Sequence, residues 1–380
     1  MIPYGRQTIE EDDIQAVVDV LRSNWLTTGP KVTEFEELFA DFVGAKHAVA
    51  VNSGTAAIHA AMFAIGIGPG DEVIVPAMTF AATANCVVFQ GGIPVFADVE
   101  PETLLIDPAK VRDKITPRTK AVISVDYAGH PCDYDSLSAV AVQNGLTLVA
   151  DACHALGGKY KGRPVGSLAE LSTFSFHPVK PITTGEGGMV STDDPELARR
   201  MRIFRNHGIT SDHRQREQTG SWFYEMEELG FNYRLTDFQC ALGISQLKKL
   251  SHWVVRRQEI AKQYNAAFSE IPAVKPLNVR EDILHAYHLY VIKLDFSRLR
   301  ITRSELFAIL RAEGIGVNVH YIPVHLHPFY RKRFDTKIGL CPVAEEASER
   351  IITLPISPYM NEDVDKVITT VRKVIKVSLR

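Results

Sequence analysis

The sequence has few cysteines and little excess charge. Its 380 residues include five cysteines, none of which form a Cys-x-x-Cys pair, so nothing indicates a disulfide framework. We therefore expect a reducing compartment. The 42 lysines and arginines stand against 45 aspartates and glutamates, which leaves a formal charge of −3. This balance gives no reason to expect binding to nucleic acid or to anionic membranes.

Long apolar runs are also missing. The longest apolar window, at residues 56–67, contains His59 and ends in glycines, and it is too short to cross a bilayer. The N-terminal residues show no basic segment followed by an apolar stretch, so no secretory signal is predicted. The sequence therefore predicts a soluble, cytoplasmic protein.

The pattern of apolar residues predicts an α/β fold with two domains. Over the first two thirds of the chain, short β-rich runs alternate with helical stretches. This alternation favours a mostly parallel central sheet with helices on both faces. After about Leu250 the pattern becomes that of a smaller α+β unit. A chain of this length usually has more than one core, so we place a large domain at residues 1–250 and a small C-terminal domain at 251–380.

Local patterns predict further elements on both sides of this boundary. Residues 237–247 and 253–271 are expected to form two separate helices. Residues 318–321, which read Asn-Val-His-Tyr, are expected to form a strand of the small domain.

A first candidate ligand-binding segment is residues 52–55, Asn-Ser-Gly-Thr, between a predicted strand and a predicted helix. In open α/β sheets ligands bind at the carboxyl ends of strands. Gly54 lets a ligand approach the backbone, while hydroxyl groups and the free N–H groups of the helix start suit a phosphate. An ordinary N-cap is the simpler interpretation of this segment by itself.

The second candidate segment places a carboxylate at the end of a strand. Asp151 ends an apolar run, and His154 follows three residues later. A turn cap and a satisfied polar histidine would explain the same pattern equally well. A zinc site formed by Cys153 and His154 with His130 and Cys132 matches no closed tetrahedral spacing, so we expect no metal there.

The third segment, residues 173–188, places Lys180 in apolar and glycine-rich surroundings. His177 and Lys180 each precede a proline, which biases both backbones towards extended conformations. Most lysines are solvated surface charges, and such a lysine gains nothing from this restraint. A lysine that must hold an imine in a fixed position does gain from it.

The three segments together supply what pyridoxal 5'-phosphate requires. They offer a phosphate cradle, an acid to keep the pyridine nitrogen protonated, and a lysine to form a Schiff base. Phe80, which follows a predicted strand ending at Pro76, would provide a flat face for the ring, although a phenylalanine there is otherwise a core residue.

The order of these motifs resembles the nucleotide-sugar aminotransferases, which are fold-type I pyridoxal-phosphate enzymes. The motifs are Ser-Gly-Thr-Ala-Ala at 53–57, Asp-x-x-His at 151–154, Ser-x-His-x-x-Lys at 175–180 and Thr-Thr-Gly-Glu-Gly-Gly at 183–188. The similarity extends from Trp25 to His325 and so covers nearly the whole chain. Residues 177–188 are most similar to members that make the aminated UDP-sugar precursor of pseudaminic acid.

The resemblance implies a role for each matching residue of the cofactor site. Lys180 would bind the cofactor covalently and then act as the acid and base that moves a proton. Asp151 would bind the pyridine nitrogen, and His154 would lie near the phenolic oxygen, where many members carry glutamine. The phosphate would be bound by Gly54, Thr55 and Ser175, the ring by Phe80, and the phosphate again by Asn232 of the partner subunit.

The resemblance also implies residues that contact the substrate. Thr28, Tyr321 and His325 are the candidates, together with Arg205. His320, His325 and His327 also allow a metal interpretation, but no carboxylate lies among them. A loop that lines the sugar pocket is therefore the preferred interpretation, without a metal.

The implied activity is transamination by a homodimer whose active sites are shared between subunits. Glutamate would supply the amino group, and the acceptor would be C4 of a 4-keto-6-deoxy UDP-amino sugar of the pseudaminic acid type. Alternatives are another nucleotide-sugar aminotransferase, or a lyase or aromatic-precursor synthase on the same scaffold. A more distant alternative is a regulatory protein without turnover, against which the intact set of Lys180, Asp151 and the phosphate segment counts.

Overall fold

The computed structural model describes residues 1–211, 216 and 220–380. Its centre is a mostly parallel sheet of seven strands within these residues. Its strands lie in the order β1-β9-β8-β5-β4-β2-β3. They are β1 (His47–Val51), β2 (Glu72–Pro76), β3 (Ile93–Ala97), β4 (Thr119–Val125), β5 (Thr147–Asp151), β8 (Leu171–Ser175) and β9 (Gly188–Thr192). Only β9 runs against its neighbours within this described sheet, pairing antiparallel with β1 and with β8.

Helices cover both faces of this sheet, as predicted. All five residues of β2 and all five of β9 are buried, and successive strand residues point to opposite faces, so both faces are covered. The helices of the first 210 residues are α1 (Glu11–Leu21), α2 (Pro30–Val43), α3 (Gly54–Ala64), α4 (Ala81–Phe89), α5 (Pro108–Arg112), α6 (Tyr134–Asn144) and α7 (Pro195–Phe204).

The helix α3 positions the start of the candidate site. Five of its alanines, at 56, 57, 60, 61 and 64, are at most 2% exposed. Because alanine is small, the helix packs closely against β8 and β9 and against α4 and α7. Its N-terminus therefore lies beside the carboxyl end of β8.

The C-terminal part adds one small sheet, one strand of a second small sheet, and further helices. β10 (Val274–Pro276), β12 (Tyr290–Leu294) and β13 (Ile351–Leu354) form one antiparallel sheet. β6 (Lys159–Tyr160), β7 (Arg163–Pro164) and β11 (Ile283–Leu284) form the other. The helices are α8 (Asp237–Phe268), α9 (Arg303–Ala312), α10 (Pro328–Phe334), α11 (Pro342–Arg350) and α12 (Glu362–Ser378).

The prediction of two helices at 237–247 and 253–271 is wrong, because α8 is continuous. Leu247, Leu250 and Val254 are buried on one face of it, so the apolar stripe passes through the predicted break. The predicted domain boundary at residue 250 falls inside this helix. The two-domain division stays a prediction, and the described apolar residues do form two clusters that meet at β12, with Val291 in one and Ile292 in the other.

The prediction of a strand at 318–321 is also wrong. Asn318 forms an isolated bridge with Thr353, in which each backbone N–H donates to the other residue's carbonyl. The chain then leaves the sheet, because the backbone N–H of Tyr321 donates to Met78 Sδ at 3.4 Å and not to a neighbouring strand. This departure carries Tyr321 to the carboxyl ends of the central strands.

Within the described residues, no helix has the length and apolar character that crossing a bilayer requires.

Candidate active site

A cavity of about 470 Å³ opens at the carboxyl ends of β4, β5 and β8. The last residue of each of these strands, Val125, Asp151 and Ser175, lines it. The structure brings together around it most of the residues predicted from the sequence, namely Gly54, Thr55, Phe80, Asp151, His154, Ser175, Lys180 and Tyr321. The sheet therefore gathers segments that are more than 250 residues apart along the chain.

The N-terminus of α3 forms one wall of the cavity. Ser53 caps the helix, since its Oγ accepts from the N–H of Ala56 at 3.0 Å and its carbonyl from that of Ala57 at 3.0 Å. The N–H groups of Gly54 and Thr55 have no partner among the described residues. A Cβ at Gly54 would lie 2.7 Å from Cβ of Ser175. Free N–H groups at a helix start, beside a serine hydroxyl, fit a phosphate.

Asp151 forms the floor and is 6% exposed. Its Oδ2 accepts from the hydroxyl of Thr83 at 2.7 Å, and its Oδ1 from the N–H of Cys153 at 3.3 Å. It forms no ion pair with any described residue. Burial of a carboxylate without a cation costs free energy, so a protonated ring nitrogen bound here would offset that cost. The residue therefore fits the role predicted for it.

Lys180 lies in the turn after β8, where its backbone N–H donates to the carbonyl of His177 at 2.9 Å. Its Nζ makes no hydrogen bond to the described residues. Burial lowers the pKa of this lysine, against the opposing effects of Cys153 and Asp151. A larger fraction of the amine is therefore uncharged and nucleophilic than in a solvated lysine.

His154 is held at both ring nitrogens by this chain. Its Nδ1 accepts from the backbone N–H of Ala128 at 3.3 Å, and its Nε2 lies 3.1 Å from Oη of Tyr321. Burial, with the charges of Lys180 and His320, lowers the pKa of His154 well below its usual value. The ring is therefore neutral at physiological pH, and its contact with the phenolic oxygen of the cofactor stays a prediction.

Phe80 presents its ring to the cavity. The ring is 59% exposed although the residue is large and apolar. It precedes α4 directly and lies 6.0 Å, between centroids, from the ring of Tyr321. An exposed aromatic ring in the same cavity as the start of α3 and the carboxylate of Asp151 fits a planar ligand that stacks on it.

Several cavity residues were missed by reasoning from the sequence. Tyr4 reaches the cavity because the N-terminal segment pairs with residues of the C-terminal part, with Ile2 bridging Ile315. His288 is 5% exposed, and its fully buried Nδ1 has no partner among the described residues. Neither residue belongs to a motif, so no local pattern could have identified it.

His325 is a correction to the predicted substrate contacts. Its side chain is fully buried, its Nε2 lies 2.9 Å from Oε1 of Glu345, and its ring lies 5.9 Å from that of Phe96. A short helical turn at Val324–Leu326 directs it into the core and away from the Lys180 cavity. It is in no position to touch a ligand there.

Thr28 and Asn232 also lie outside the Lys180 cavity of their own chain. Thr28 lines a separate cavity of about 240 Å³ beside Arg205 and Arg234. Asn232 is exposed, and its carbonyl accepts from Nδ2 of Asn52 at 3.3 Å. Their predicted roles stay predictions.

The chain matches the model of the DegT/DnrJ/EryC1/StrS aminotransferase family over residues 7–372. The chain belongs to this family. It is 47% identical over 378 residues to the spore coat polysaccharide biosynthesis protein SpsC of Bacillus subtilis. The match covers 99% of this chain and 97% of SpsC. The prediction of a pyridoxal-phosphate-dependent sugar aminotransferase is thereby confirmed.

Solved structures of aminotransferases share the fold. The putative sugar aminotransferase Spr1654 from Streptococcus pneumoniae, in its PMP form, is 34% identical with a TM-score of 0.93, covering 99% of this chain and 100% of its own. Helicobacter pylori PseC, an aminotransferase involved in the biosynthesis of pseudoaminic acid, is 34% identical with a TM-score of 0.91, covering 99% of both chains. The predicted fold-type I architecture is confirmed.

Proposed function

We propose that this enzyme transfers the amino group of glutamate to C4 of a 4-keto-6-deoxy UDP-amino sugar, as in a pathway of the pseudaminic acid type. The observation that carries the proposal is the amine of Lys180, which has no hydrogen-bond partner among the described residues and shares one cavity with the buried carboxylate of Asp151 and the start of α3. The similarity to PseC supports the choice of sugar. The name of SpsC supports a place in polysaccharide biosynthesis.

The residues of the cavity divide the work of the reaction. When bound, pyridoxal phosphate supplies an aldehyde and a ring that accepts electrons. The N–H groups of Gly54 and Thr55 hold its phosphate, and Asp151 keeps a proton on the ring nitrogen. Nζ of Lys180 removes the proton from the α-carbon of glutamate and later delivers a proton to C4 of the sugar.

A homodimer with shared active sites is part of the proposal. The segment before Asn232 exposes large apolar side chains, with Trp222 85%, Leu229 77% and Met226 65% exposed. Apolar groups exposed together mark interaction surfaces, so this segment is proposed to pack on the partner. Asn232 would then reach the phosphate bound in the partner's cavity. The backbone next to Asn232 is held in place, because the carbonyl of Tyr233 accepts from the N–H of Asn52 at 2.9 Å.

The test is incubation of the purified enzyme with glutamate and a panel of 4-keto nucleotide sugars. We expect 2-oxoglutarate to form with a 4-keto-6-deoxy UDP-amino sugar, and mass spectrometry to find one new amino group on that sugar. A Lys180→Ala protein is the matched control. Absence of 2-oxoglutarate when glutamate is incubated with every sugar of the panel would overturn the proposal. The predicted cytoplasmic location is part of the same proposal, since nucleotide sugars are made there.

A further inference from the structure

The hydrogen bonds around His154 fix the direction in which its proton points. A backbone N–H can only donate, so the bond from Ala128 makes Nδ1 of His154 the acceptor. Burial keeps the ring neutral, and a neutral imidazole carries its one proton on the other nitrogen. Nε2 of His154 is therefore the N–H group that faces Oη of Tyr321 at 3.1 Å.

The N–H of Ala128 is itself held in place by the surrounding backbone. The carbonyl of Ala128 accepts from the N–H of Leu289 at 3.1 Å, and that of Gly129 from the N–H of Ala286 at 2.9 Å. Gly129 has φ +104°, and a Cβ there would lie 2.8 Å from the N atom of Tyr287. The close approach of this segment requires glycine, and it holds the donor that sets the tautomer of His154.

We infer that Tyr321 binds the substrate as a hydrogen-bond donor, and that His154 is the positioning residue which sets this direction. Since Nε2–H of His154 donates to Oη, the hydroxyl hydrogen of Tyr321 must be given to another atom. Among the described residues, none accepts it, and the side chain lines the reaction cavity. The site therefore selects a ligand with an acceptor at this point, such as the carbonyl oxygen of a keto sugar.

This inference deepens the proposed function and rests on it for the identity of the sugar. Glutamine at position 154 can reproduce the same polarity, because its carbonyl oxygen can accept from Ala128 while its amide N–H donates to Tyr321. Leucine can do neither. The pair His154→Gln and His154→Leu therefore separates hydrogen-bond direction from packing.

The first experiment needs no substrate. In protein labelled with ¹⁵N-histidine and loaded with pyridoxal phosphate, the signals of His154, assigned with the His154→Gln protein, should show a protonated Nε2 and an unprotonated Nδ1 from about pH 6 to 8. The opposite tautomer, or a charged ring, would overturn the inference. The proposed function would be untouched by that result.

The second experiment is a double-mutant cycle on the pyridoxamine form, with UDP-N-acetylglucosamine as an unreactive nucleotide sugar. Tyr321→Phe and His154→Leu should each weaken binding about 5- to 10-fold, the value of one neutral hydrogen bond. The double variant should be no weaker than Tyr321→Phe, and His154→Gln should bind like the natural protein. Additive losses in the double variant, or unchanged affinity in Tyr321→Phe, would overturn the inference. If the natural protein does not bind UDP-N-acetylglucosamine, that result counts against the proposed function, and the tautomer of His154 in the first experiment then decides the inference.

Discussion

The proposed cofactor side and the proposed substrate side of this active site are built differently. The cofactor side consists of Asp151 and Ser175 at the ends of β5 and β8, the start of α3, and Lys180 five residues after the end of β8. Parallel strands bring their carboxyl ends to one edge, so these residues meet because of the sheet itself.

The substrate side depends on segments outside the sheet. Tyr321 reaches the cavity only because its backbone leaves β13 and bonds Met78, and Tyr4 only because the N-terminal segment pairs with Ile315. Thr28 and Asn232 remain outside the cavity of their own chain. Loops of this kind can change while the sheet is kept, which lets one scaffold serve different sugars.

The largest effect should come from the cofactor side. Lys180→Ala should lower turnover by about 10³-fold or more, because the amine that attacks the aldehyde and moves the proton is lost. Thermal unfolding of the apoprotein should change little, since Nζ makes no hydrogen bond to the described residues. Turnover is measured by release of 2-oxoglutarate.

Lys161→Ala is the matched control for this variant. Lys161 is exposed and paired with Asp135 at 2.6 Å, and such pairs contribute little to stability. Its removal should leave turnover as it is. Comparable losses in both variants would show that Lys180 has no special role.

A second effect should follow from added volume at the start of α3. In Gly54→Ala the new Cβ would lie 2.7 Å from Cβ of Ser175, so β8 and α3 must separate. We expect about 1–3 kcal/mol less stability and weaker binding of pyridoxal phosphate, about tenfold for each 1.4 kcal/mol. Cofactor titration and urea unfolding measure the two effects.

Gly68→Ala serves as its control, because the nearest atom to a Cβ there is Asp71 Oδ2 at 4.0 Å. This variant should bind the cofactor like the natural protein. Full cofactor affinity in Gly54→Ala would contradict the close contact between α3 and β8.

A third variant tests the substrate side at His325, which the sequence predicts to contact the substrate and the structure places in the core. His325→Gln should lower the free energy of unfolding by about 1–3 kcal/mol, because the buried bond to Glu345 is disturbed. KM for the sugar should not change, since the ring lies in the core. A raised KM with unchanged stability would restore the sequence-based prediction.

The smallest effect is the contribution of His59 to the pH dependence of the free energy of unfolding. Nδ1 of His59 lies 3.2 Å from Oη of Tyr233, the residue next to Asn232. Burial lowers the pKa of His59 from an ordinary 6.5 to about 4. Between these values the unfolded chain binds more protons than the folded one, so the free energy of unfolding falls as the pH is lowered through this range. Urea unfolding at several pH values gives the free energy of unfolding of the natural protein and of His59→Gln. This free energy should depend less steeply on pH in the variant, and an equal pH dependence would exclude His59 as a contributor.

The motif residues could be predicted because each lies close to a strand end in the sequence. Gly54, Asp151 and Lys180 follow apolar runs, and the turn chemistry around them is local. His325 could not be placed, because the direction of its side chain depends on a turn that packs against Phe96 and Glu345. The break expected at residues 248–252 failed for a related reason, since only the partners of α8 reveal that Leu250 continues its buried stripe.

By itself the sequence determined the central sheet and the cofactor and predicted the residues of the cofactor site, because alternating apolar runs and residues at strand ends are properties of a few neighbouring positions. The tertiary structure decided which further residues line the cavity, since Tyr4, His288 and Tyr321 come from distant segments whose positions depend on packing. It also decided the direction of the bond from His154 to Tyr321. A hydrogen-bond direction depends on every partner in the chain of contacts, and here the first partner is a backbone N–H that no side-chain pattern records.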